Sequence, residues 1–211
     1  MAKKKKYYVI WHGHETGIFN SWASCQNLIK GFPNAVYKSF PDYKTAHKAY
    51  YGLADDYIGK ETHKKALSNA EKQRIGQPIS NSLAVDAACS GNPGKLEYQG
   101  VITSSGQRVF HQGPFEQGTV NIGEFLALVH GLAFLKKHNS HIPVYSDSRT
   151  AIKWIQQKKS NTKLPQTSKN EILFDLIERA ELWLQNNQWD NPVLKWETAA
   201  WGEIPADFGR K

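Results

Sequence analysis

An aspartate sits in the middle of a run that otherwise reads as a buried strand: Ser82-Leu83-Ala84-Val85-Asp86-Ala87-Ala88-Cys89. Strand interiors disfavour Asp and offer it no capping role. In an apolar setting an unpaired carboxylate costs several kcal/mol unless a cation or a proton neutralises it. Three more acids occupy comparable contexts: Glu124 in Gly123-Glu124-Phe125-Leu126-Ala127-Leu128, Asp147 in Val144-Tyr145-Ser146-Asp147-Ser148, and Asp207 in Pro205-Ala206-Asp207. Each has an ordinary reading when taken alone. Asp147 or Ser148 would cap a helix, Asp207 likewise, and Glu124 would pair with a helix dipole. Gathered from distant segments they imply a built site, and an all-oxygen anionic donor set suits a hard divalent cation.

The local frames support that gathering. Side chains repeat every second residue along a strand, so Asp86 shares its face with Ala84 and Ala88, which leave room above it. Glu124 is expected to open a helix whose face continues through Leu128, Gly131 and Leu135. Asp147 ends a strand and precedes a helix, where α/β folds place functional groups. Asp207 follows Pro205 and is expected at the start of a terminal helical turn.

From residue 80 the pattern is α/β. Strands are expected at about 82–90, 96–103, 107–115, 142–146 and 192–197, with a long amphipathic helix over 124–138 and further helices at 149–158 and 169–186. Three adjacent strands followed by helix-strand-helix-strand predict a mixed five-stranded sheet with flanking helices. Residues 7–51 read as a separate small α+β unit. Its expected strands are at 7–11, 17–19 and 35–40, with helices starting near Ser21 or Ser24 and near Asp42 or Thr45. Residues 52–79 are polar and aromatic-poor. They read as a linker with at most a weak helix around Glu61 to Arg74.

The net charge of +8 points to a phosphate-bearing partner. Two cysteines, Cys25 and Cys89, form neither a disulfide framework nor a zinc site and fit a reducing compartment. No apolar run is long enough for a membrane span. The Lys3–Lys6 run is followed by Tyr7-Tyr8-Val9-Ile10-Trp11, too short and aromatic for a signal-peptide core. A cytoplasmic, monomeric protein with no membrane contact and no obligate protein partner is expected.

Residues 80–211 resemble the type 1 ribonuclease H family. The shared features are a first-strand Asp followed by Ser90-Gly91-Asn92-Pro93-Gly94, then Asn121-Ile122-Gly123-Glu124, then Tyr145-Ser146-Asp147-Ser148-Arg149-Thr150-Ala151-Ile152, then Ala206-Asp207. Residues 7–51 look like the hybrid-binding module at the N-terminus of many members, through Tyr8, Gly17-Ile18-Phe19, Trp22, Cys25, Gly31-Phe32 and Tyr37-Lys38-Ser39-Phe40.

The resemblance implies an endonuclease that cuts the RNA strand of RNA/DNA hybrids, leaving 5′-phosphate and 3′-hydroxyl ends. Two Mg²⁺ ions, or Mn²⁺ in their place, would activate water on one side of a phosphate and stabilise the leaving oxygen on the other. Asp86 would bridge the ions, with Asp147 on the nucleophile side and Glu124 and Asp207 on the leaving-group side. Glu124 would also accept a hydrogen bond from a ribose 2′-OH. Asn92, Asn121 and Arg149 match ribose and minor-groove contacts, and Thr119, Asn121 and Thr198 match positions holding a DNA phosphate. In the small module, Tyr8, Trp22 and Lys38 would form an aromatic-plus-cation surface against deoxyribose and phosphate.

The chain also departs from the family pattern. Many members carry Gly-His before the last Asp, the His assisting product release; here the stretch is Trp201-Gly202-Glu203-Ile204, and Glu203 is the candidate for that role. Val120 and Arg149 replace polar residues common in relatives. The alternatives are a transposase- or resolvase-like DNA nuclease and a non-catalytic hybrid-binding protein. The small module weighs against the first, and retention of all four acids against the second.

Overall fold

The computed structural model describes residues 6–52, 54, 57–58, 67–91 and 93–209. The chain divides into two compact units, Met1–Lys64 and Lys65–Lys211. Asn92, Lys3 to Lys5 and the first part of the weak helix expected near Glu61 lie outside the described residues.

In the first unit, β1 (Tyr7–His12) is the centre of an antiparallel sheet of order β2-β1-β3, with β2 at Gly17–Phe19 and β3 at Val36–Phe40. Two short helices cover it, α1 (Trp22–Ile29) and α2 (Tyr43–Tyr50). Each starts where a side chain satisfies a first-turn amide: Ser21 Oγ accepts from Ser24 N at 3.1 Å, and Asp42 Oδ1 accepts from Thr45 N at 2.8 Å. Val9 and Phe40 pack with Ala46 and Ala49 of α2. Tyr8, one residue away and therefore on the other face, meets Trp22 of α1.

The second unit opens with α3 (Asn69–Ile75), entered through a capping box in which Ser68 N donates to Glu71 Oε2 at 2.8 Å and Glu71 N donates to Ser68 Oγ at 3.3 Å. The residues after it are held in place. Trp201 Nε1 donates to the Gly76 carbonyl at 2.7 Å, and Ile79 N donates to Tyr145 Oη at 3.2 Å. The end of the stretch read as linker is therefore part of this unit's surface.

The sheet that follows comprises β4 (Leu83–Gly91), β5 (Gly94–Ile102), β6 (Arg108–Gly118), β7 (Val144–Ser146) and β8 (Val193–Lys195), in the order β6-β5-β4-β7-β8. β6, β5 and β4 run antiparallel, whereas β4-β7 and β7-β8 are parallel. The helices are α4 (Val120–Lys137), α5 (Arg149–Gln157), α6 (Glu171–Asn186) and the short α7 (Thr198–Trp201). None among the described residues is long and apolar enough to cross a membrane.

Helix α4 differs from its expectation in two ways. It starts at Val120, four residues before Glu124, so Glu124 lies beyond the first turn and gains little from the dipole. Nor is it amphipathic. Ile122, Phe125, Leu126, Leu128, Val129, Leu132 and Leu135 are all buried around its circumference, because the sheet covers one side and α5 and α6 cover the others. Asn121-Ile122-Gly123 belongs to this helix, and Gly123 lets the backbone lie close against the sheet. A β-carbon there would come within 2.6 Å of Ala87 Cβ and 2.5 Å of Leu96 Cδ1. A smaller core on the opposite sheet face joins Ala84, Val101, Tyr145, Trp196, Ile204 and Ala206.

Candidate active site

Period-two alternation divides β4. Leu83, Val85 and Ala87 enter the core beneath α4, while Ala84 belongs to the opposite cluster with Ile204 and Ala206. Asp86 therefore emerges on the side of the C-terminal segment. Its strand pairs with β7 through Leu83↔Val144 and Ala84↔Tyr145. Two residues further on, that register sets Asp86, inside β4, level with Asp147, just past the end of β7. Ser148 Oγ accepts from Ala151 N at 3.1 Å and is the N-cap of α5, so the cap role falls to Ser148 rather than to Asp147.

Glu124 reaches the same place from α4 and is 9% exposed. One carboxylate oxygen from each of Asp86, Glu124 and Asp147 lies within 4.8 Å of the others. Such crowding penalises ionisation. The Asp86 carboxyl is pushed up to about 7, first by burial and then by the charges of Asp147, Asp207 and Glu203, while the Ala87 backbone amide opposes the shift. Oxygen-only donors that resist being charged together are what a hard divalent cation relieves, so the residues fit such an ion.

Asp207 and Glu203 are exposed and stand at the rim of this cluster, close enough for their charges to act on Asp86. Asp207 does not open a helix. It sits in a turn closed by its own N–H to the Ile204 carbonyl at 2.8 Å, and its Oδ2 accepts from Gly209 N at 2.8 Å.

The remaining candidates scatter. Thr119 is the N-cap residue of α4 and only 2% exposed. Asn121 is half-buried in the first turn of α4, Arg149 is exposed at the first turn of α5, and Thr198 opens α7. In the small unit, Trp22 is 42% exposed and its ring lies 5.5 Å from Tyr8 and 5.9 Å from Tyr37. Lys38 does not join that surface. It pairs with Val9 across the ladder, faces α2, and its Nζ donates to the Tyr57 carbonyl. Tyr37 is the neighbour that strand alternation supplies instead. One residue that sequence reading passed over is Gln99, directly opposite Asp86 in β5 and 8% exposed. Its only signal was a polar residue inside a strand.

An antiparallel three-strand meander continued by two parallel strands, a buried central helix, and acids converging from β4, α4 and the end of β7 define the ribonuclease H-like class of α/β proteins. Residues 80–192 match the family model described as RNase H, and residues 6–50 match the one described as Ribonuclease H1 N-terminal domain. With more than half of its length covered by the first, the chain belongs to the ribonuclease H family. A ribonuclease H of Saccharomyces cerevisiae is 30% identical over 99 residues, covering 43% of this chain and 28% of that protein. One of Crithidia fasciculata is 43% identical over 93 residues, covering 41% of this chain and 18% of that one. A ribonuclease H of Schizosaccharomyces pombe is 21% identical across 98% of this chain and 96% of its own. The first two alignments thus take in less than a third of those relatives' lengths.

Proposed function

We propose that the chain is an endonuclease that hydrolyses the RNA strand of RNA/DNA hybrids, leaving 5′-phosphate and 3′-hydroxyl ends. The observation that carries this reading is the convergence of Asp86, Glu124 and Asp147, from three separate elements, to within 4.8 Å. Asp86, Glu124, Asp147 and Asp207 are the residues that would hold divalent cations, Mg²⁺ or Mn²⁺. Bound there, such ions would activate water and offset charge on the leaving oxygen.

The chain's own groups have distinct tasks in this reading. Glu124 accepts from a ribose 2′-OH and so distinguishes RNA from DNA. Asn121, Arg149 and Thr198 contact ribose and phosphate along the approach to the cluster. Glu203, at the rim, assists product departure. Residues 80–211 form the catalytic domain and residues 7–51 a hybrid-binding module, whose exposed Trp22 and Tyr37, with half-buried Tyr8, supply a stacking surface. Two free cysteines accord with action in a reducing compartment such as the cytoplasm.

The test is to incubate the full chain with labelled RNA/DNA hybrid, duplex DNA and duplex RNA in Mg²⁺ or Mn²⁺, and to determine the end groups of any product. Cleavage of the RNA strand of the hybrid, with 5′-phosphate ends, is expected. Nicking of duplex DNA would move the chain to a DNA nuclease, and binding without cleavage would make it a hybrid-binding protein.

A further inference from the structure

We propose that Gln99 is a positioning residue for the cation site, its buried amide fixing the turn that delivers Asp207 to Asp86. This rests on the reading of the acidic cluster as a divalent-cation site. Gln99 and Asp86 are directly opposed in the β4-β5 ladder, so their side chains leave the sheet on one face. Gln99 Nε2 donates to the Ala206 carbonyl at 2.7 Å, across 107 residues of sequence. The next residue is Asp207.

The segment after α7 makes no strand ladder among the described residues, so its place depends on a few contacts. Trp196 Nε1 donates to the Gly202 carbonyl at 2.9 Å and anchors the start of the loop. Ile204 and Ala206 are buried against Ala84, Val101 and Tyr145, which sets the depth of the loop but not its direction along the sheet. Gln99 supplies the direction, because it bonds the loop to the strand position facing Asp86. Within the loop, the Asp207 N–H to Ile204 carbonyl bond and the Gly209 N–H to Asp207 Oδ2 bond then orient the carboxylate.

The choice of residue supports the same role. A leucine at 99 would fill this apolar cluster without burying an amide. A buried amide is tolerated only where it finds a partner, and the partner found here is the carbonyl next to the fourth acid. Groups that orient metal ligands commonly carry a tenfold or larger share of metal affinity.

The experiment measures Mn²⁺ binding to the full chain, without nucleic acid, by calorimetry or by electron paramagnetic resonance of the free ion. The proteins are wild type, Gln99→Met, Gln99→Asn, Asp207→Asn and Gln99→Met/Asp207→Asn, each checked for native near-ultraviolet dichroism. Gln99→Met removes the amide at nearly constant volume. Gln99→Asn keeps an amide but loses the reach, and it carries the comparison alone if the Met variant does not fold. Either Gln99 change should weaken Mn²⁺ binding roughly tenfold. The double variant should bind no more weakly than Asp207→Asn, since two residues acting through one ligand are not additive. Gln99 variants with wild-type affinity beside a weakened Asp207→Asn, or fully additive losses, overturn the role of Gln99. A wild-type chain that binds no Mn²⁺ overturns the cation site itself, which is a different result.

Discussion

Ser148 caps α5 with its hydroxyl 3.1 Å from the Ala151 amide, and the residue before it, Asp147, directs its carboxylate into the cluster with Asp86 and Glu124. The N-cap bond of the helix therefore comes from Ser148. Asp147→Asn should leave the thermal midpoint within a few degrees of wild type and hybrid binding within a few fold, while hybrid cleavage is lost. The amide keeps the shape of the side chain and removes the charge that would hold a cation. Unchanged turnover at saturating Mg²⁺ would falsify the assignment.

Crowded carboxylates make the cation-free chain pH-sensitive. Asp86 titrates near 7 when folded, against about 4 when unfolded. Between those values the folded state holds the extra proton, so this group's contribution to stability falls as pH rises through the window and stays unfavourable above it. In EDTA, Asp86→Asn should therefore be more stable than wild type at pH 8, by on the order of 2 kcal/mol. The gap should shrink toward pH 5, and Mg²⁺ should close it at pH 8 by stabilising only the wild type. Urea melts of both proteins at the two pH values give the comparison.

Glu203 is exposed at the rim, near enough to act on Asp86 but outside the three-acid cluster. Glu203→Ala should slow steady-state hybrid cleavage several-fold and leave a single-turnover burst nearly unchanged, as expected of a group that assists product departure. Equal slowing of both phases places it in the chemical step instead.

The two faces of the small sheet predict different outcomes for two residues grouped together by sequence. Trp22→Ala should weaken hybrid affinity by on the order of 1–3 kcal/mol through a lost stacking contact. Lys38→Ala, on the α2 face and bonded to the Tyr57 carbonyl, should change hybrid affinity much less. Matching losses in a filter-binding titration at fixed salt would show that both faces meet the nucleic acid.

What the sequence made legible follows the range of its signals. An acid inside a strand and one between strand and helix announce themselves through neighbours two to four residues away, which is why Asp86 and Asp147 could be placed on their elements. Glu124 is expected at a helix start four residues too late, because Asn121-Ile122-Gly123 reads as loop by propensity, and the close approach of Gly123 to Ala87 and Leu96 is a tertiary feature. The buried circumference of α4 was equally hidden, since α6 lies more than thirty residues further along the chain. Lys38 is grouped with Tyr8 and Trp22 by the sequence, yet it lies opposite Val9 while Tyr8 lies opposite Ser39, a cross-strand register that no local pattern encodes. The bond from Gln99 to Ala206 joins residues 107 apart, and no local pattern encodes it.

Gly123 brings α4 onto β4 and β5 with no side chain of its own in between, so the helix-to-sheet distance at that point is set by atoms already touching. Hydrostatic pressure acts on voids far more than on such contacts. Glu124, one residue further on, should therefore keep its offset from Asp86 under compression until the sheet itself yields. The site's tolerance to squeezing is in this sense a property of its backbone spacing, owed to the absence of a single methyl group.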